Sequence, residues 1–198
     1  MAGEAAMRSL AFDDLYAEIE RLAPGLTGEI LEPGVVHVMS RPERGHRRAH
    51  KLLLRALEGA DAESGGTGWW IEVEAEVRLS LDRLAVPDLA GWRVERVAEL
   101  PIENPIAIVP DWCCEILSPT TATGDRRLKL PLYAASGVGH VWLVDPAERF
   151  IEVYETRAGK PTQIITAGEN ERVSLPPFAE LPIDLARLWL PRPAPASR

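Results

Sequence analysis

Residues 106–117 of this 198-residue chain, IAIVPDWCCEIL, form a strongly apolar run with a glutamate, Glu115, near its end. A run of that kind suits a strand covered on both faces, which places it at the centre of a sheet. An ionised carboxylate on such a strand is costly unless it is paired or binds a cation. Asp88 raises the same question in a second apolar stretch, LAVPDLAGW at residues 84–92. A cationic segment, Asp125-Arg126-Arg127-Leu128-Lys129, follows Glu115 a few residues later.

Around that centre the hydrophobic spacing orders the chain. Phe12, Leu15, Tyr16, Ile19 and Leu22 make an amphipathic first helix capped by Ser9 and ended by Pro24-Gly25. Residues 28–31 and 35–39 read as a hairpin turning at Glu32-Pro33-Gly34. A second helix is expected from about Pro42 to Leu57, with Ala49, Leu52, Leu53, Ala56 and Leu57 inward and arginines opposite. Residues 61–68 are a polar, glycine-rich loop. Residues 69–79 alternate, with Ile71, Val73, Ala75, Val77 and Leu79 facing one way and Glu72, Glu74, Glu76 and Arg78 the other, which predicts one half-exposed strand. Residues 84–92 predict the next strand, carrying Asp88, and residues 93–104 a loop or short helical excursion. Residues 125–136 predict a helix, with Pro131 implying a kink or a start near it. Strands are expected at 139–144 and 150–155 around the Asp145-Pro146 turn, with an edge strand at 163–166 and a short helix at 184–190. Residues 1–190 read as one domain and residues 191–198, PRPAPASR, as a disordered tail.

Helices at the start, a central mostly antiparallel sheet and a helix crossing to further strands predict an α/β (α+β) architecture with helices flanking the sheet. With 46% hydrophobic and 26% charged residues the composition is that of a globular protein. No apolar run approaches the roughly 20 residues of a membrane span, and the N-terminus lacks the apolar core of a secretory signal. Cys113 and Cys114 are adjacent on a predicted strand and point to opposite faces, so they read as reduced packing residues of a cytoplasmic protein. A net charge of −8 argues against non-specific, charge-driven nucleic-acid binding. The local exception is the basic stretch at residues 44–55, RGHRRAHKLLLR, which is either a solvated helix face or a phosphate-contacting surface.

Asp88 and Glu115 on neighbouring strands could hold Mg²⁺ or Mn²⁺ together with a strand carbonyl, that of Ile116, leaving positions for water and a phosphate oxygen. Lys129 is the candidate to orient the attacking water. This is the donor set of a metal-dependent phosphodiesterase. Each residue has a simpler reading as well. Asp88 could end a strand, and Glu115 could form a buried ion pair with Arg126 or Lys129. Asp125 could cap a helix or pair with Lys129 at i,i+4. Tyr133 could touch a phosphate or pack in the core with its hydroxyl wet. His46 and His50, four apart on one helix face, fit phosphate contact or exposure better than metal ligation. Asp111 reads as a strand-entry cap, the glutamates at 72–76 as a solvated face, and the tryptophans as core or interface. Ser118 has no histidine and acid partners for nucleophilic catalysis, and Gly137-Val138-Gly139 lacks the later glycine of a dinucleotide loop.

The segments Pro87-Asp88, residues 111–119 (DWCCEILSP), Asp125 with Lys129 and Tyr133, Gly137-Val138, and residues 142–146 (WLVDP) resemble the Uma2 family, also called DUF820. Met39-Ser40, His46 and the Leu181–Leu188 pattern extend the resemblance over nearly the whole chain. Members are restriction-endonuclease-like proteins of the PD-(D/E)XK nuclease fold. The resemblance implies Asp88 and Glu115 as metal ligands. A direct Glu-X-Lys signature would place lysine at position 117, which is Leu117 here, so the helix-borne Lys129 is its candidate replacement. The expectation is thus a Mg²⁺- or Mn²⁺-dependent endonuclease acting on DNA, with His46, Arg47, Arg48, Arg126 and Tyr133 toward the nucleic acid and a homodimer plausible for cutting two strands. The alternative is a nuclease-fold binding or regulatory module that does not cleave.

Overall fold

The computed structural model describes residues 11–39 and 43–191. The expected Ser9 cap, Ser40, the Pro42 helix start and the tail beyond residue 191 lie outside them.

Helix α1 (Phe12–Ile19) lays Phe12, Leu15 and Ile19 on Ile30 and Leu84. The hairpin forms as its turn residues demand, with β1 (Thr27–Glu32) antiparallel to β2 (Val35–Met39) and Gly34 at φ 76°. Helix α2 (Arg44–Leu57) buries Ala49, Leu53 and Leu57.

Two expectations of single long strands are corrected. Residues 69–79 divide into β3 (Trp69–Val73) and β4 (Val77–Ser80), because Glu74 turns to φ 50° and its N–H is drawn to the Asp88 carbonyl at 3.2 Å. Residues 84–92 divide into β5 (Arg83–Ala85) and β6 (Leu89–Arg93). There the Val86 N–H leaves the ladder for the Glu29 carboxylate at 2.7 Å, and Pro87 has no N–H to offer. At both breaks the chain passes from one sheet to another. Strands β4 and β5 join the hairpin in a four-stranded sheet of order β2-β1-β5-β4, while β3 and β6 belong to a larger one.

The larger sheet completes with β7 (Trp112–Ile116), β8 (His140–Asp145), β9 (Phe150–Arg157) and β10 (Lys160–Gly168), in the order β10-β9-β8-β7-β6-β3. Strands β7 and β8 are parallel and the other neighbours antiparallel. The parallel step needs a crossover, which a helical stretch supplies in three pieces: α3 (Ala122–Gly124), a π-helical segment (Asp125–Lys129) and α4 (Leu130–Ser136). Strands β11 (Arg172–Ser174) and β12 (Pro182–Asp184) form a small ribbon, followed by a 3₁₀ turn (Leu185–Arg187) where a short helix was expected.

Alternation along the central strands sorts two cores. Trp112, Cys114 and Ile116 face α2 and the C-terminal segment, with Trp142, Phe178 and Trp189. Cys113 and Leu117 face the crossover helix and the smaller sheet, with Leu130, Tyr133, Leu31 and Val77. The cysteines are free, buried and on opposite faces. Among the described residues no helix is long and apolar enough to cross a membrane.

Candidate active site

Asp88 occupies the joint between the two sheets. The register of β6 against β7 pairs Leu89 with Cys114, so the next step brings Asp88 opposite Glu115. One Asp88 oxygen, Oδ2, accepts the Ile116 N–H at 2.6 Å. The other, Oδ1, lies 2.9 Å from His46 Nε2 in the first turns of α2. Glu115, on the face of β7 turned to the crossover helix, is 3% exposed. Its Oε1 accepts the Tyr133 hydroxyl at 2.5 Å and its Oε2 the Lys129 ammonium at 3.2 Å.

Lys129 is also 3% exposed and meets two further carboxylates, Glu29 at 2.9 Å and Asp125 at 3.7 Å. Burial works against its charge, but Glu115, Glu29 and Asp125 outweigh that and hold the ammonium above its ordinary pKa. Burial likewise pushes Glu115 well up, against the pull of Lys129, and lifts Asp125 to about 6. Three carboxylates around one ammonium leave this group with excess negative charge, an environment that favours a bound cation.

Asp88, Glu115, Ile116, His46 and Lys129 line one cavity of about 260 Å³. The buried Asp125 also lines it, and its more exposed wall adds the hydroxyl-bearing Ser118, Thr120 and Thr121, the apolar Val38 and Met39 of β2, and the carboxylates of Glu43 and Glu74. The donors at its floor are hard carboxylate oxygens, each with one partner already, and a carboxylate offers about four lone-pair positions. Among the described residues no three or more Asp, Glu, His or Cys side chains form a metal cage. Mg²⁺ is commonly held by one or two carboxylates, with water and phosphate oxygens filling the shell, so Asp88 and Glu115 fit that ion, or Mn²⁺, better than Zn²⁺.

The remaining sequence candidates are placed as follows. His46 is buried against Asp88 rather than exposed. Burial lowers the pKa of His50, one turn on, against the charge of Asp88. Arg47 is on the exposed side of α2. Arg48 instead ties α2 to the 3₁₀ turn and the segment after it, donating to the carbonyls of Trp189 at 2.8 Å and Arg187 at 3.3 Å. Arg126 pairs with Glu152 and is not part of the cavity wall. Tyr133 is 0% exposed, so its hydroxyl serves Glu115 and neither a phosphate nor water. Asp111 accepts the Arg93 N–H at 2.8 Å and pairs with Arg96, away from the cavity. Glu29 escaped the sequence reading; its one signal there is an acidic residue directly before the apolar pair Ile30-Leu31 in a predicted strand.

No curated protein matches the chain. A crystal structure at 1.96 Å, that of a "putative nuclease belonging to DUF820" from Anabaena variabilis ATCC 29413, is similar to it with a TM-score of 0.69 and 22% identity, over 90% of this chain and 97% of that one. That likeness establishes the restriction-endonuclease-like fold. The sequence model of Uma2, described as "Putative restriction endonuclease", matches residues 16–186, and with that span covered the chain belongs to the Uma2 family.

Proposed function

We propose that this protein is a Mg²⁺- or Mn²⁺-dependent endonuclease that hydrolyses DNA phosphodiester bonds. One observation carries the reading: Asp88 from the joint before β6, Glu115 from β7 and Lys129 from the crossover helix converge on one cavity. Asp88 and Glu115 would hold the ion, which when bound lowers the pKa of a coordinated water and neutralises charge on the phosphate. Ile116 supports the site by donating its N–H to Asp88, which orients that carboxylate. His46 fixes the second Asp88 oxygen, the kind of outer contact that orients a ligand. Lys129 stays protonated, so it serves as a fixed positive charge beside Glu115 and not as a base. The hydroxyls of Ser118, Thr120 and Thr121 bond to one another at 3.0 Å on the cavity wall, and donating to a phosphate oxygen would require one of them to leave that cluster. Arg47 lies on the exposed side of α2, the face that a DNA backbone approaching the cavity would meet.

A second reading, a nuclease-fold module that binds without cutting, draws on the complete engagement of Lys129 by three buried carboxylates. Incubating supercoiled plasmid and single-stranded DNA with the protein separates the two. Wild type is expected to cut in Mg²⁺ or Mn²⁺ and not in chelator, and Asp88→Asn and Glu115→Gln to abolish cutting while staying folded. DNA binding with no cleavage in either metal favours the module. Absence of both cleavage and a calorimetric Mn²⁺ signal overturns the metal-dependent reading.

A further inference from the structure

Glu29 is the one carboxylate of the group around Lys129 that does not line the cavity. It reaches the site from β1, in the smaller sheet, where Ile30 pairs with Leu84 and anchors the strand. Its Oε1 accepts the Val86 N–H at 2.7 Å and the Lys129 ammonium at 2.9 Å, the shortest of the three lysine contacts. Its Oε2 is buried with no hydrogen-bond partner.

Stability does not account for this arrangement. A buried ion pair is often no better than an apolar pair of equal volume, and a buried oxygen without a partner is a net cost. What the contacts do is fasten two pieces of the site. Val86 begins the Val86-Pro87-Asp88 joint that presents Asp88, and Lys129 closes the π-helical segment. Such segments inside helices recur at functional positions because they redirect side chains.

We propose that Glu29 is a positioning residue: through one carboxylate oxygen it locks the Lys129 ammonium beside Glu115 and couples it to the joint carrying Asp88. The proposal rests on the nuclease reading for its catalytic consequence, but its structural half can be tested without it.

The chain has three lysines, Lys51, Lys129 and Lys160. Protein labelled with ¹⁵N-lysine is expected to show one slowly exchanging side-chain ammonium in a ¹H–¹⁵N spectrum. A buried, tightly bonded ammonium is protected from exchange, whereas exposed ones are not. Its absence from Lys129→Arg assigns it. Glu29→Gln keeps a carbonyl oxygen for the Val86 N–H and removes the charge. It is expected to stay folded, to speed ammonium exchange until the signal broadens or vanishes, and to lower kcat about 10-fold with KM within about twofold, the range seen when an outer-contact partner is lost. Glu29→Asp, which restores charge on a shorter arm, should recover part of the signal and part of kcat. An unchanged ammonium in Glu29→Gln overturns the proposal whatever the rate does, because Glu29 then acts through something other than Lys129. An altered ammonium with unchanged kcat in a cleaving enzyme overturns its catalytic half. If no version cleaves, the nuclease reading falls and the spectrum by itself decides whether Glu29 positions Lys129.

Discussion

Lys129 is where the chemistry and the stability of this protein meet. Its ammonium offsets three carboxylates at 97% burial or more. Replacing it by the similarly sized Met leaves those carboxylates without a counter-charge, and the loss of one partner of a buried pair costs about 3–5 kcal/mol. Urea denaturation of Lys129→Met should show a loss of that order. Asp125 gives a pH-dependent counterpart. Its carboxyl is moved from 3.8 to about 6, by burial first and against the charge of Lys129. Between those values the native state keeps a proton that the unfolded chain releases. The contribution of that proton is therefore complete below the unfolded pKa and is lost as pH rises through about 6. Asp125→Asn is neutral throughout, so its stability relative to wild type should improve across that window by up to ~3 kcal/mol, at ~1.36 kcal/mol per pKa unit. Parallel denaturation curves at pH 4 and pH 7 that differ equally for both proteins would remove this assignment. At this scale Asp88, Glu115 and Lys129 were legible because acidic residues inside apolar runs, and a lysine soon after, are conspicuous. Glu29 was not, because Glu29 and Glu32 look alike in the hairpin. The fold buries the first completely and leaves the second exposed.

Elements followed their local signals where the signal was complete within one segment. The hairpin, α2 and the crossover helix stand where periodicity and turn residues put them, β7 fills only residues 112–116 of the apolar run 106–117, and Gly137 ends α4 at φ 94° as a left-handed C-cap. Ala at that position keeps the backbone strained, so Gly137→Ala is expected to cost about 1 kcal/mol, read as a drop in thermal midpoint. The strand readings at 69–79 and 84–92 failed for a reason outside each segment. Alternation continues through Glu74, and the apolar run continues through Val86–Asp88, but the Glu74 and Val86 N–H groups bond to partners outside their own segments, Asp88 and Glu29. Those two departures from the ladder create the cavity, since they carry the chain between sheets beside Asp88. The π-helical turn is likewise invisible to spacing. A proline at 131, which lacks an N–H to close a turn, signalled a disturbance but not its kind.

At the scale of the whole molecule the charge distribution sets how DNA can be approached. The net charge is −8, and the cavity wall carries Glu43, Glu74, Asp88, Glu115 and Asp125 against one lysine already engaged by carboxylates. A phosphate entering such a cavity is repelled until cations compensate it. Fluorescence anisotropy with a labelled oligonucleotide is therefore expected to show at least ~10-fold weaker binding in chelator than in Ca²⁺, about 1.4 kcal/mol. Equal affinity in both would mean that the DNA is held elsewhere, on the outer face of α2 or beyond. The amino-acid sequence by itself determined the buried central strand, the helices, the acid pair and the lysine, together with the family resemblance that unites them. Each of these is written in the type and spacing of neighbouring residues. Tertiary structure decided which glutamate joins Lys129, which arginines are spent on internal carbonyls and carboxylates, and where alternating strands break. Those outcomes depend on hydrogen-bond partners tens of residues away, and a local pattern holds no information about a partner it does not contain.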